Sequence, residues 1–168
     1  MPLRVLSCDP GLANTGLVMF DGRRIVKVAT LRSPALSTRP EFGPCVERVE
    51  KMAADLAEAV AKMGACPDVV VCEAYRDIPG RLRQAANRWT TPLAIGLLIP
   101  ALRSLTEGGA IVWQDPERVM TAYAQAVRLW ALGQHGIVTG DELLRNEHVR
   151  SAAAHGCFYL EAHRRAAS

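Results

Sequence analysis

The chain has 168 residues, 49% hydrophobic and 22% charged, with a formal net charge of +3. This is enough chain for one unit with a real core, and the balance excludes a low-complexity or disordered polymer. The mild positive charge permits a polyanionic partner without demanding one, and no stretch approaches the roughly 20 apolar residues of a membrane span.

In chain order, residues 3–9 (Leu-Arg-Val-Leu-Ser-Cys-Asp) read as a strand closed by the turn Pro10-Gly11. Residues 15–20 read as a second strand, Asp21-Gly22 as a two-residue hairpin signal, and residues 24–31 as a third strand, making an antiparallel meander. Pro44 suits the first turn of a helix. Behind it Val46, Val49, Met52, Ala53, Leu56, Val60 and Met63 recur at helical spacing, until Cys66-Pro67 ends the segment. A strand then runs to Glu73. Residues 79–105 read as mostly helical, with Pro92 and Pro100 marking a kink or break. A short strand, Ala110 to Gln114, leads into Asp115-Pro116-Glu117, a helix start whose buried stripe is Val119, Met120, Tyr123, Val127 and Trp130. Gly133 to Gly140 is a loop, and Asn146 caps a last helix running to about residue 164. The order β-β-β-α-β-α-β-α-α predicts one α/β domain over 1–168, with a mixed sheet.

Cys8, Cys45, Cys66, Cys72 and Cys157 show no zinc-like spacing, and the N-terminus has no long apolar signal region. The expectation is a cytoplasmic protein, in a bacterial host cell if phage-encoded, with Cys8 and Cys72 as small buried residues.

Two apolar strands far apart in the chain end in carboxylates, Asp9 and Glu73. An acid at the end of a buried strand is costly unless a cation sits beside it. Two of them on neighbouring strands suggest a site for hard divalent ions. Paired ions activate a water and stabilise a leaving oxygen in phosphodiester hydrolysis. Asp9, Glu73, a third carboxylate and one phosphodiester would balance their four charges. Glu147, in the first turn of the last helix, is the candidate third acid, with His148 beside it and Ser151 one turn on; an acid there also simply complements the helix dipole.

Cys8-Asp9-Pro10-Gly11 followed by Asn14-Thr15-Gly16 resembles the D-P-G-x-x-x-T-G opening of RuvC-type Holliday junction resolvases, members of the ribonuclease H-like superfamily, and the style is closer to the phage-type members. In that family the second acid ends the fourth strand, as Glu73 does here, and the last helix opens with ligands three residues apart. The resemblance implies a ribonuclease H-like fold: a mixed five-stranded sheet, its first three strands antiparallel, with helices on both faces. It implies a homodimer that cuts four-way DNA junctions symmetrically with two Mg²⁺ or Mn²⁺ ions per site. The two ligand positions of the last helix fall on His148 and Ser151. Histidine occurs at the first in some members; serine at the second departs from the expected aspartate. Three accounts stand open. Glu147 takes over the ligand role; Ser151 is a substitution or holds metal through water; or the protein binds junctions and cuts them poorly. His148 suits a proton acceptor or a manganese ligand better than a magnesium ligand.

Arg76, Arg81, Arg83 and Arg88 follow Glu73 and would contact the phosphate backbone. Tyr75 is the nearest candidate for the aromatic that the family stacks on a base at the branch point, with Trp89 behind it; Trp113 and Trp130 are assigned to the core. Residues 92–102 suit either a core or a dimer face. Two further readings are a ribonuclease H-like nuclease acting on RNA and a non-catalytic module that binds branched DNA. An actin-like ATPase is set aside, since it needs two such domains.

Overall fold

A computed structural model describes residues 2–11, 13–32, 42–64, 66–75, 87–106, 108–119 and 146–166, with the backbone alone at 42–45 and 87–91. Five strands form one sheet in the order β3-β2-β1-β4-β5. They are β1 (Arg4–Asp9), β2 (Asn14–Asp21), β3 (Arg24–Arg32), β4 (Val69–Glu73) and β5 (Ile111–Gln114). β1, β2 and β3 pair antiparallel, while β1–β4 and β4–β5 pair parallel. The helices are α1 (Phe42–Met63), α2 (Asn87–Ser104) and α3 (Glu147–Ala166). Residues 116–119 begin a further helical turn, with Val119 buried. The rest of that stripe, Trp130 and the 133–140 loop lie outside the described residues.

Strand alternation divides the core in two. Leu6, Cys8, Leu17, Met19, Val70 and Cys72 face α1 and α2. Val5, Val18, Phe20, Val69 and Val71 face α3. Helices thus cover both sides of the sheet. On α1 the predicted stripe is buried at Val49, Met52, Leu56, Val60 and Met63, and Gly64, at φ 77°, stops the helix as a left-handed cap. Helix α2 runs through both prolines. Ala94, Leu98 and Leu102 face the core, whereas Pro92, Gly96 and Pro100 line the exposed side. The carbonyls that lose their amide partners to the two prolines therefore lie on the side open to water.

Two expectations need correction. The β2–β3 loop is Gly22-Arg23, not Asp21-Gly22: Asp21 pairs with Arg24 across the ladder. Gly22 has φ 59° and no other residue of the turn is positive, the Gly-first arrangement of a primed hairpin turn. Trp113 is not core. β5 is an edge strand, and the indole stays 40% exposed on the α2 side of the sheet.

Helix α3 sits very close to the sheet because it is lined with small residues, Ser151, Ala152, Ala153, Ala154 and Gly156, all buried. A Cβ on Gly156 would strike the Phe20 ring, and one on Gly16 would strike the backbone of His148 and Val149. The glycine of the Thr15-Gly16 pair is therefore what lets the start of α3 rest on β2. Backbone cannot yield as a flexible side chain can. Gly16→Ala is expected to cost about 1–3 kcal/mol or more, read as a fall of about 2–4 °C in Tm per kcal/mol in thermal unfolding. An unchanged Tm would contradict the close approach.

Candidate active site

The same alternation that buries Val5 and Val71 carries Asp9 and Glu73 onto the α3 side. Cys8 pairs with Cys72 in parallel register, so the next residues, Asp9 and Glu73, end adjacent strands side by side. Glu73 in turn pairs with Gln114, the last residue of β5. Asp9, Glu73 and Gln114 form one polar row across the carboxyl ends of three parallel strands, where α/β sheets place their sites.

Asn146 sets the phase of α3 above this row. Its Oδ1 accepts from the backbone N–H of His148 (3.0 Å) and of Val149 (3.3 Å), while its Nδ2 donates to Thr30 Oγ1 at 2.7 Å. From that start His148, Ser151 and His155 fall at i, i+3 and i+7, a single stripe. His148 Nδ1 lies 3.0 Å from Asp9 Oδ2. Ser151 Oγ donates to Glu73 Oε2 at 2.8 Å. His155 Nδ1 lies 3.0 Å from Gln114 Oε1, and its Nε2 lies 3.3 Å from Glu73 Oε2. Below the site Thr15 Oγ1 donates to Gly11 O at 3.1 Å and sits 3.1 Å from Met52 Sδ, tying the turn after Asp9 to α1.

Glu147 points away from the row. Its side chain is 81% exposed, and its Oε1 lies 4.0 Å from His148 Nε2. Tyr75 stands two residues past Glu73 and is 39% exposed. Arg76, Arg81 and Arg83 lie outside the described residues, as do the side chains of Arg88 and Trp89.

With this geometry in view, no protein-family model matches the chain and no curated protein sequence is significantly similar to it. Solved structures do match. Thermus thermophilus RuvC in complex with a Holliday junction substrate superposes with a TM-score of 0.72, at 20% identity, over 99% of this chain and 98% of that one. A second Thermus thermophilus RuvC structure gives 0.66 at 21% identity, covering 96% of each chain. The yeast mitochondrial Holliday junction resolvase Ydc2 gives 0.53 at 13% identity, covering 98% of this chain and 82% of that one. The fold is that of RuvC.

Within this RuvC fold the electrostatics of the row are uneven. Burial holds the Asp9 carboxyl above the ordinary carboxylate range; the hydrogen bond with His148 offsets part of that, and the nearby Glu73 charge adds to it. Burial works against ionised Glu73 too, but contacts from His155, Ser151 and Asp9 outweigh it and its pKa is lowered. The two carboxylates end adjacent strands and each shifts the ionisation of the other, so they titrate as a pair. The hydrogen bond to Asp9 raises the pKa of His148. Cys8, hydrogen-bonded to Cys72 and buried, has its thiol pushed well above the usual value, which makes it unreactive.

Among the described residues no group of three or more His, Cys, Asp or Glu side chains is arranged as a ready metal cluster. Asp9 and His148 are closed on each other instead. The donors nevertheless suit a divalent cation. Two close carboxylates, one of which ionises reluctantly, are relieved by positive charge between them, and an imidazole adds affinity for manganese over magnesium.

Sequence reasoning passed over Gln114 as a functional position and left His155 without a role. Both carried a signal: Gln114 ends β5 as Glu73 ends β4, and His155 lies four residues beyond Ser151 on the same helical face.

Proposed function

We propose that this chain is a divalent-metal-dependent endonuclease that resolves four-way DNA junctions, hydrolysing one phosphodiester in each of two opposed strands. The observation that carries the reading is the Asp9–Glu73 row at the ends of β1 and β4, faced by His148 and Ser151 from α3. The likeness to folds solved as junction resolvases, over nearly the full chain, supports the substrate class.

Asp9, Glu73 and His148 would hold the divalent ions, Mg²⁺ or Mn²⁺, two in the fullest form of the site, with Ser151 as a neutral and weaker neighbour. When bound, such ions activate water and stabilise the leaving oxygen. The protein's own groups orient and move protons. Ser151 Oγ–H fixes one oxygen of Glu73. With His148 Nδ1–H donated to Asp9, the ring has one lone pair, on Nε2, which would serve either as a ligand to manganese or as the acceptor of a proton from the attacking water. Glu147 lies at the helix start as an exposed acid and supports the dipole.

Symmetric cutting calls for two sites related by a two-fold axis. The outward side of α2 offers the surface: Pro92, Gly96 and Pro100 are exposed, and Ile95 and Ile99 half-exposed. A homodimer is expected in sedimentation; a monomer at micromolar concentration would oppose it. Tyr75, exposed two residues past Glu73, would stack on a base at the branch point, and the arginines after it in sequence would contact phosphates. Tyr75→Ala is expected to weaken junction binding by about 1–3 kcal/mol in gel-shift titration, leaving linear duplex affinity unchanged.

The deciding assay offers a four-way junction, a linear duplex and a structured RNA with Mg²⁺ or Mn²⁺. Paired cuts in the junction are expected. Preference for the RNA would redirect the substrate. Tight junction binding without cleavage in either metal would favour a non-catalytic module, a reading that rests on Ser151.

A further inference from the structure

The stripe that brings His148 and Ser151 to the site continues to a side chain the chemistry above does not use. His155 is fully buried, with Ala152 and Ala154 beside it. An imidazole in such surroundings costs free energy unless its nitrogens are partnered, and an apolar residue would fill the space more cheaply. Its partners are Gln114 at the end of β5 (3.0 Å) and Glu73 Oε2 at the end of β4 (3.3 Å). The second contact is close but falls short of a well-aligned hydrogen bond. A small shift of the carboxylate would complete it.

Hydrogen placement follows from the acceptors. A carboxylate only accepts, and Ser151 Oγ already donates to the same Oε2. Nε2 sits beside that oxygen without lone-pair repulsion only if it carries hydrogen. In the neutral ring Nδ1 then needs a donor. The Gln114 carboxamide supplies one with its NH₂ turned to the ring, since its oxygen and nitrogen can exchange places by a flip.

We infer that His155 is a positioning residue for Glu73. Anchored by Gln114, it joins Ser151 in holding Oε2, so that the other carboxylate oxygen is presented to Asp9 and to a divalent ion between them. The inference rests on the nuclease reading and extends it to a further residue of α3, anchored on a third strand. Ser151 is neutral, so the site has few acids, and orientation of those that remain matters more.

The test measures Mn²⁺ binding to DNA-free protein by electron paramagnetic resonance, with melting temperature and junction affinity in EDTA on the same samples. His155→Gln places an amide donor where Nε2 stood. His155→Asn reaches only the place of Nδ1, and His155→Ala neither. Retention of Mn²⁺ affinity within about threefold is expected for Gln, with a loss of about 10-fold or more for Asn and Ala, junction affinity in EDTA being unchanged. Folded Asn and Ala variants that bind Mn²⁺ like wild type, or Gln and Asn variants that fall equally, would overturn the assignment. Nitrogen-15 NMR of the wild type gives a readout free of mutation: hydrogen on Nε2 is expected, and a bare Nε2 refutes the proposal. Wild-type protein that neither binds Mn²⁺ nor cuts junctions would remove the nuclease reading and this inference together. Binding and cleavage indifferent to residue 155 would remove the inference alone.

Discussion

Asp9→Asn is expected to abolish junction cleavage and at the same time to stabilise the fold. Loss of a carboxylate at the centre of the site should cost at least about 10³-fold in rate, the scale on which removing a main electrostatic group acts. Stability moves the other way because the Asp9 pKa is raised in the folded state by burial and by Glu73, with His148 offsetting only part. For an acid shifted upward, the contribution to stability is full below its unfolded value, near 3.8, and is lost as pH rises through the folded value. At neutral pH ionised Asp9 is therefore a net cost, which a neutral isostere removes. A gain on the order of 1 kcal/mol would appear as about 2–4 °C in Tm. Glu73→Gln should behave oppositely. The Glu73 pKa is lowered, so its contribution is present above the unfolded value, near 4.5, and is lost as pH falls through the folded one; at neutral pH the substitution forfeits it. Two isosteric neutralisations on adjacent strands would thus both kill cleavage and move Tm in opposite directions. Calorimetry at pH 7 in EDTA checks this, and shifts of the same sign would contradict the charge balance derived for the row. A gain in stability on losing a functional acid is the usual mark of a site built for binding rather than for folding.

The strand-end acids were legible because period-2 alternation and a terminal carboxylate are local signals. Once Val5 and Val71 are inward, Asp9 and Glu73 must share their face. Helix α1 was legible for the same kind of reason, its apolar stripe being uninterrupted from Val49 to Met63. What the sequence hid depends on relations between elements. Whether Glu147 or His148 faces the sheet is a question of helix phase, about 100° between neighbours. It is settled by Asn146 capping the helix and by the small residues that let α3 settle onto β2. Trp113 was misplaced because a large aromatic in a short strand reads as core, and nothing local marks β5 as an edge. The Gln114–His155–Glu73 bridge needs strand register as well as helix phase, so no pattern within one segment could reveal it.

Ser151→Asp tests what the departure at this position means. The serine is nearly buried, and its hydroxyl lies 2.8 Å from Glu73 Oε2. A carboxylate there stands against Glu73 with no added cation, so in EDTA the variant should melt below wild type, from like-charge repulsion in a poorly solvated place. Divalent ions reverse the sign, since the new oxygens become ligands. A tenfold tightening of Mg²⁺ binding is worth about 1.4 kcal/mol and would widen the Mg²⁺-dependent gain in Tm correspondingly. Cleavage in Mg²⁺ should rise by about the same tenfold or more if ion occupancy limits the wild type. Glu147→Gln is the companion measurement. An 81% exposed side chain outside the row should leave both Mg²⁺ binding and cleavage unchanged. If Glu147→Gln lowers Mg²⁺ affinity and Ser151→Asp does not raise it, the third acid is Glu147 after all, swung inward by the ion. If Ser151→Asp alone responds, the native site works with two carboxylates and an imidazole, and higher cleavage in Mn²⁺ than in Mg²⁺ is the expected result of that ligand set.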